Sequence, residues 1–367
     1  MFLSLLSWLI NGGEILKPFL AWIVFAEPFL LLYGLLRSPP PSKTMEKLWR
    51  LAWTVIGVQV PVALLQAATL GLSDNVQGTF VGLSQASHVV GAVTLAGSFV
   101  LIAKLLTGQP RLASSCLSWT AVVLLWLIPV LADAKHVIAA ALGGMVTLLI
   151  GQRRIKWKRA LVGMGGILLV LGIGALLYPP LQWIFRVEGM VEIAARKMDP
   201  IVLMALHAEG SPLPWLFGLG PGNTFSRVAL MGQGGLVKAE SPVARLGISI
   251  TPITQEALVV SLTAAYAPAA TSTAYHIWSS FAGLLGDWGF LGLGLYLGMG
   301  WMIWKVLERG PRWAVLSGRA NLTMLVFLGG FHSWLEEPCM TLIQAFLIGL
   351  LTGTRQEPPG FGSRDEA

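Results

Sequence analysis

Two blocks of apolar segments, within residues 19–178 and 280–353, flank a polar-enriched insert spanning 179–278. Several stretches in the blocks reach the roughly 20 apolar residues that cross a bilayer as a helix. Packed helices need only short connections, so an insert of this length is where function is expected. It ends in Tyr275-His276-Ile277-Trp278-Ser279-Ser280 and leads into the second block.

The composition agrees with a membrane protein. Charged residues make up 12% of the chain and hydrophobic ones 55%, whereas soluble domains carry roughly 25% charged residues. Such a chain cannot clothe a water-facing surface. The formal charge of +7 would fit nucleic acid, but the basic residues sit in short inter-helix loops, where membrane orientation accounts for them. No nucleic-acid partner is expected. Cys116 and Cys339 both fall in apolar segments, which argues against a disulfide or a metal site. The stretch Met1–Asn11 is apolar but short, and reads as an interfacial helix leading into the first span.

The hydropathy pattern predicts an all-α polytopic membrane protein with nine spans, near 19–37, 50–70, 86–106, 114–132, 136–151, 160–178, 280–304, 320–335 and 338–353. This divides the chain into N-terminal membrane helices (1–178), a large loop (179–278), C-terminal membrane helices (279–353) and a tail (354–367). Lys and Arg collect on alternate connections: Arg37 to Arg50, Lys104 and Arg111, Arg153 to Arg159, Lys305 to Arg319, and the tail. By the positive-inside rule that side is cytoplasmic. The insert, the Asp74–Thr79 loop, the Asp133–His136 turn and the Glu336-Glu337 turn are then expected to face outward.

Four polar clusters share that outer face. Asp133-Ala134-Lys135-His136 puts charge at a span edge, where it must pair, snorkel or meet a ligand. An Asp133–Lys135 pair and a ligand site are both open readings. The insert carries six basic and six acidic residues, so it is no polyanion-binding domain. Its Gly-rich stretch Phe217-Gly218-Leu219-Gly220-Pro221-Gly222-Asn223 is not a dinucleotide fingerprint, because the spacing is wrong and no strand–helix unit surrounds it. A turn presenting backbone amides, with Arg227 just beyond, fits it better. The third cluster is the insert's exit, His276 to Ser280, followed by Asp287 early in an apolar helix. The fourth is His332 with Glu336 and Glu337, a carboxylate pair suited either to solvation at a turn or to general-base work. Glu27 and His88 lie nearer the membrane interior, where helix-to-helix hydrogen bonds are the default.

Together these pieces resemble the O-antigen ligase and O-antigen polymerase superfamily. Gly218-Leu219-Gly220-Pro221-Gly222 matches that family's loop motif Gly-x-Gly-Pro-Gly, Asp133-Ala134-Lys135 its outward Asp-Ala-Lys segment, and Gln77-Gly78-Thr79-Phe80 an earlier Gly-Thr-Phe stretch. The resemblance covers residues 45–353. It implies a GT-C-like membrane glycosyltransferase that polymerises or ligates undecaprenyl-diphosphate-linked glycan on the outer face of a bacterial inner membrane. The implied partners are that lipid-linked oligosaccharide, a growing glycan or lipid acceptor, membrane lipids, and other polysaccharide assembly and export proteins. One departure stands out. Ligases carry a His eleven residues before a Gly-x-x-Gly; counting back from Gly289 to Gly292, that position holds Trp278, with His276 two residues upstream. A capsule or exopolysaccharide polymerase-like member therefore fits better than a ligase acting on lipid A core.

The implied chemistry needs cations to stabilise a diphosphate leaving group and a base for an acceptor hydroxyl. Lys135, Arg196, Arg227 and Arg245 are the candidate cations, with the Gly220 and Gly222 amides beside them; His276, Glu240 and Asp287 are the candidate bases. The insert has no His/Asp/Glu cluster at metal-ligand spacing, so neither metal nor cofactor is expected. Two other classes stay open: a glycolipid transporter or flippase, and a non-catalytic partner of a polysaccharide export machine.

Overall fold

The computed structural model describes residues 1–82, 86–108, 115–151, 157–177, 182, 191, 195–231, 250–265 and 278–353. Every regular element among them is helical. In chain order these are α1 (Phe2–Asn11), α2 (Leu16–Arg37), α3 (Ser42–Leu70), α4 (Ala86–Thr107), α5 (Ser115–Leu131), α6 (Lys135–Ile150) and α7 (Trp157–Leu177). The insert contributes α8 (Asp199–His207), α9 (Leu213–Phe217), α10 (Arg227–Met231) and α11 (Pro252–Ala265). The second apolar block forms α12 (Ser280–Leu307), α13 (Arg312–Phe331), a 3₁₀ turn (Ser333–Glu336) and α14 (Pro338–Gly353).

Five helices, α2, α3, α4, α12 and α13, are long and apolar enough to cross a membrane, and the chain is an α-helical membrane protein. The others at expected span positions, α5, α6, α14 and Met164–Leu176 of α7, are shorter apolar helices. Two helices start eight residues before their expected bounds: the span expected at 50–70 begins at Ser42, after Pro41, and one in the second block shifts likewise. The span expected at 320–335 begins at Arg312, directly after Pro311, because proline is tolerated where a helix starts. Arg319 sits inside it with its guanidinium 4.6 Å from the Trp304 ring and reaching Glu308. The helix stops at Phe331, where the Ser280 hydroxyl accepts the Leu335 N–H at 3.0 Å and supports the 3₁₀ turn.

The chain divides into two compact units. Unit 1 comprises Met1–Phe29, Trp183–Gly300 and Leu325–Thr341; unit 2 comprises Leu30–Gln182, Trp301–Met324 and Leu342–Ala367. In unit 2, α4 is the central helix, buried along nearly its whole length. Its small residues let neighbours approach closely: Gly97 lies against Ile56 of α3, and Gly91 against Pro129 and Ala134. In unit 1, α12 carries the core. Phe25 of α2 meets Trp288 edge-on at 5.1 Å, while Phe225, Trp278 and Leu285 pack with Met204 of α8 and Ala257 of α11.

Candidate active site

Unit 1 is organised around a break in α12. Gly289 has φ 66°, ψ −164°, so the helical path is interrupted about two and a half turns after Ser280. Only glycine adopts that conformation without strain, and a Cβ there would lie 2.4 Å from the Leu216 backbone. The break admits the insert's Gly-rich stretch. Gly218, at φ 78°, brings its backbone so close to Asp287 that a Cβ would fall 2.3 Å from the Asp287 carbonyl carbon. Leu219 N–H donates to Gly286 O at 2.7 Å. From α1, Ser7 Oγ lies 2.7 Å from Phe217 O and 3.0 Å from Asp287 O, and Asn11 donates to Gly218 O at 3.2 Å.

The Asp287 carboxylate fastens the next residues. It is fully buried. Oδ2 accepts Gly222 N–H at 2.6 Å, and Oδ1 accepts Thr224 N–H at 3.2 Å and the Thr224 hydroxyl at 2.6 Å. A buried carboxylate is tolerable only when its oxygens are bonded in this way. Both oxygens thus accept bonds from the turn, so Asp287 holds it in place. Asn223 Oδ1 accepts Lys17 Nζ at 2.9 Å, and the Thr254 hydroxyl lies 2.9 Å from Thr224 O.

That fastening sets Arg227 at the start of α10. Its N–H donates to Glu336 Oε2, and its guanidinium pairs with Glu337 Oε2. The Arg227 side chain is 24% exposed and that of Glu337 only 6% exposed, so the cation is reachable while its partner is not. Glu336 is fully buried, and its Oε1 has no hydrogen-bond partner among the described residues. Burial raises the Glu336 carboxyl well above its ordinary value; the Arg227 N–H opposes this and the nearby Asp287 charge adds to it. Burial also raises Glu337, against the pull of Arg227. At the insert's exit Lys197 donates to Trp278 O at 2.9 Å, and burial pushes its ammonium down to about 7.

The sequence-derived candidates separate. Gly220, Gly222, Arg227 and Asp287 come together in unit 1 with Glu336 and Glu337, which the sequence flagged without linking them to Arg227. The missing signal was long-range: Arg227 and Glu336 are 109 positions apart. Arg196 instead pairs with Asp199 at 3.8 Å, with both side chains about a third exposed, and nothing among the described residues bonds it to the turn. Lys135 belongs to unit 2. There its ammonium is 2.8 Å from Asp133 Oδ2, beside a stack of His136 on His88 with centroids 5.7 Å apart. Ser87 Oγ links His88 Nδ1 and Asp74 Oδ1, at 3.1 Å each. The Gln77-Gly78-Thr79 stretch is gripped by Gln66, which accepts Gly78 N–H at 2.7 Å, and by Gln59, which accepts Thr79 N–H at 2.9 Å. His276, Glu240 and Arg245 lie outside the described residues. No group of three His, Cys, Asp or Glu among the described residues could hold a metal ion.

Fold and site together define a polytopic α-helical membrane protein whose polar insert is anchored to an interrupted helix. No family model, curated protein or solved structure matches this chain.

Proposed function

We propose that the protein is a membrane glycosyltransferase of polysaccharide assembly, extending or transferring a glycan from an undecaprenyl-diphosphate carrier on the extracytoplasmic face of a bacterial inner membrane. One observation carries the reading: an accessible guanidinium, Arg227, is held by the Gly218–Thr224 turn directly against a buried carboxylate pair, Glu336 and Glu337. In the reaction the bond between the sugar's anomeric carbon and the diphosphate oxygen breaks. A new bond to the acceptor hydroxyl forms, and undecaprenyl diphosphate leaves. Arg227 offers paired donors to the departing phosphates. The hydroxyl proton passes to a carboxylate; Glu336, whose Oε1 has no hydrogen-bond partner among the described residues, takes it in its ionised form, which the adjoining Arg227 favours against burial.

The test is the surface polysaccharide of a strain lacking the protein, compared with the same strain carrying Arg227→Ala. Loss of polymer with accumulation of single lipid-linked repeat units agrees with polymerisation, and unchanged polymer in the deletion strain sinks the reading.

A second reading, lipid-linked glycan translocation, draws on the break at Gly289, since interrupted membrane helices mark many transporters. It predicts that purified protein in vesicles moves labelled lipid-linked oligosaccharide across the bilayer without lengthening it.

A further inference from the structure

We propose that one end of unit 2, built from Trp49, Lys104, Arg312 and Trp313, binds the phosphodiester headgroup of an anionic bilayer lipid. The observation that demands a partner is Lys104. It lies in the last turn of α4, half-buried, with Nζ 4.4 Å from the centre of the Trp313 ring and 6.0 Å from that of Trp49. No carboxylate among the described residues pairs with it. The two acidic side chains of the adjoining helix ends are already engaged: Glu46 holds Arg50 at 2.6 Å, and Glu308 holds Arg319, with Lys305 3.5 Å away. The indole faces attract the ammonium but accept none of its three N–H groups in strong hydrogen bonds, so its donors are open to an anion from outside the protein.

The surroundings favour an anion. Lys43, Lys47, Arg309 and Arg312 are exposed on the same helix ends. Arg312 opens α13, where Pro311 O takes up the Ala314 and Val315 N–H groups and the helix start still carries a partial positive charge. The ligand must also tolerate an apolar setting. Leu51, Trp301 and Met302 are each more than half exposed on the helices that carry these cations. Tryptophan at headgroup depth and lysine reaching toward phosphate form the usual boundary of a bilayer. A soluble polyanion would leave those apolar side chains uncovered, whereas a phospholipid covers them with its acyl chains. The site owes nothing to the glycan chemistry proposed above and involves none of its residues.

The experiment is thermal unfolding of the full chain in detergent, titrated with phosphatidylglycerol, phosphatidylcholine or inorganic phosphate. Phosphatidylglycerol is expected to raise the midpoint at lower concentration than phosphatidylcholine, and phosphate alone to have no effect. Lys104→Met is expected to weaken the phosphatidylglycerol response about fivefold, the effect of one cation near a phosphate surface. Arg312→Gln, an exposed position that disturbs no packing, should weaken it too, and it decides the question if Lys104→Met does not fold. Arg196→Gln in unit 1 should leave it intact. Equal responses to the two lipids, an equal response to free phosphate, or an undiminished response in both Lys104→Met and Arg312→Gln would overturn the proposal.

Discussion

The Arg227 cluster of unit 1 and the Lys135 cluster of unit 2 both bury charge, yet they balance it differently. In unit 2, Asp133 and Lys135 sit two residues apart, and each side chain is about one-tenth exposed. One acid meets one base, and the stacked imidazoles of His88 and His136 add no obligatory charge. In unit 1, one guanidinium faces two carboxylates, and a third, Asp287, is hydrogen-bonded by backbone and hydroxyl donors with the Lys17 charge nearby, which leaves three carboxylates to two cations. A local pair closes its own account of charge during folding. A cluster with surplus carboxylate either keeps a proton or waits for a cationic or hydroxyl-bearing ligand. Under the function proposed above, that surplus is what unit 1 offers to a ligand.

The sharpest way to break this comparison is to remove the two cations in turn. Arg227→Ala should reduce polymer formation about 10²–10³-fold, the usual effect of deleting a donor to developing charge. Pairing it with Glu337→Gln should restore protein level without restoring polymer, and Arg227→Lys should rescue only part, because lysine lacks the two-pronged geometry. Normal polymer from the alanine variant would remove Arg227 from the site.

Lys135→Ala tests the other half. Removing the ammonium from this largely buried pair should lower stability, by up to about 3–5 kcal/mol, read as a lower unfolding midpoint and reduced abundance. The double change Lys135→Met with Asp133→Asn should recover most of it. If the recovered protein is inactive, Lys135 touches substrate as the Asp-Ala-Lys resemblance implies; if it is active, the pair is structural.

The next effect is on pH dependence. With the Glu336 carboxyl raised by burial, the folded state holds a proton that the unfolded state releases near 4.5. Stability is then fully present below that value and falls as pH climbs through the folded-state value. Glu336→Gln should flatten that slope in a denaturant titration across pH 4–9. A slope unaltered by the substitution would mean that Glu336 is ionised in the fold. Lys197 acts in the opposite sense: its lowered value makes stability rise from about pH 7 upward.

The smallest effect belongs to an exposed pair. His207 and Glu256 lie 3.0 Å apart, with Glu256 half exposed. His207→Ala should shift stability by less than about 1 kcal/mol, measured at the pH where the imidazole is charged.

How much of this was legible in the sequence follows from range. Hydropathy located α2, α3, α4 and α12, because a membrane helix satisfies its own backbone and its signal is local. The end of α13 was missed because a hydroxyl from Ser280 sets it. Asp287 was legible as an anomaly, a carboxylate in an apolar run, but its role was not. It was ranked as a base, and the structure surrounds it with donors from residues 63 and 65 positions away. The same holds for Glu336 and Glu337, conspicuous as a pair and unassigned until Arg227 reached them. Arg196 was attractive by type alone, and nothing local distinguished it from a solvated charge.

The contacts of Ser7 have a consequence for how the protein is made. Its hydroxyl bonds to the carbonyls of Phe217 and Asp287, 210 and 280 positions later in the chain. At roughly 5–20 residues per second, a ribosome needs about 15–60 s to travel from the first of these residues to the last. Throughout that interval α1 waits at the membrane with its partners unmade, while the spans before the insert are already available to pack. The Ser7 contacts are therefore among the last parts of the molecule to be completed, and a chain released early would hold its first membrane helices without them.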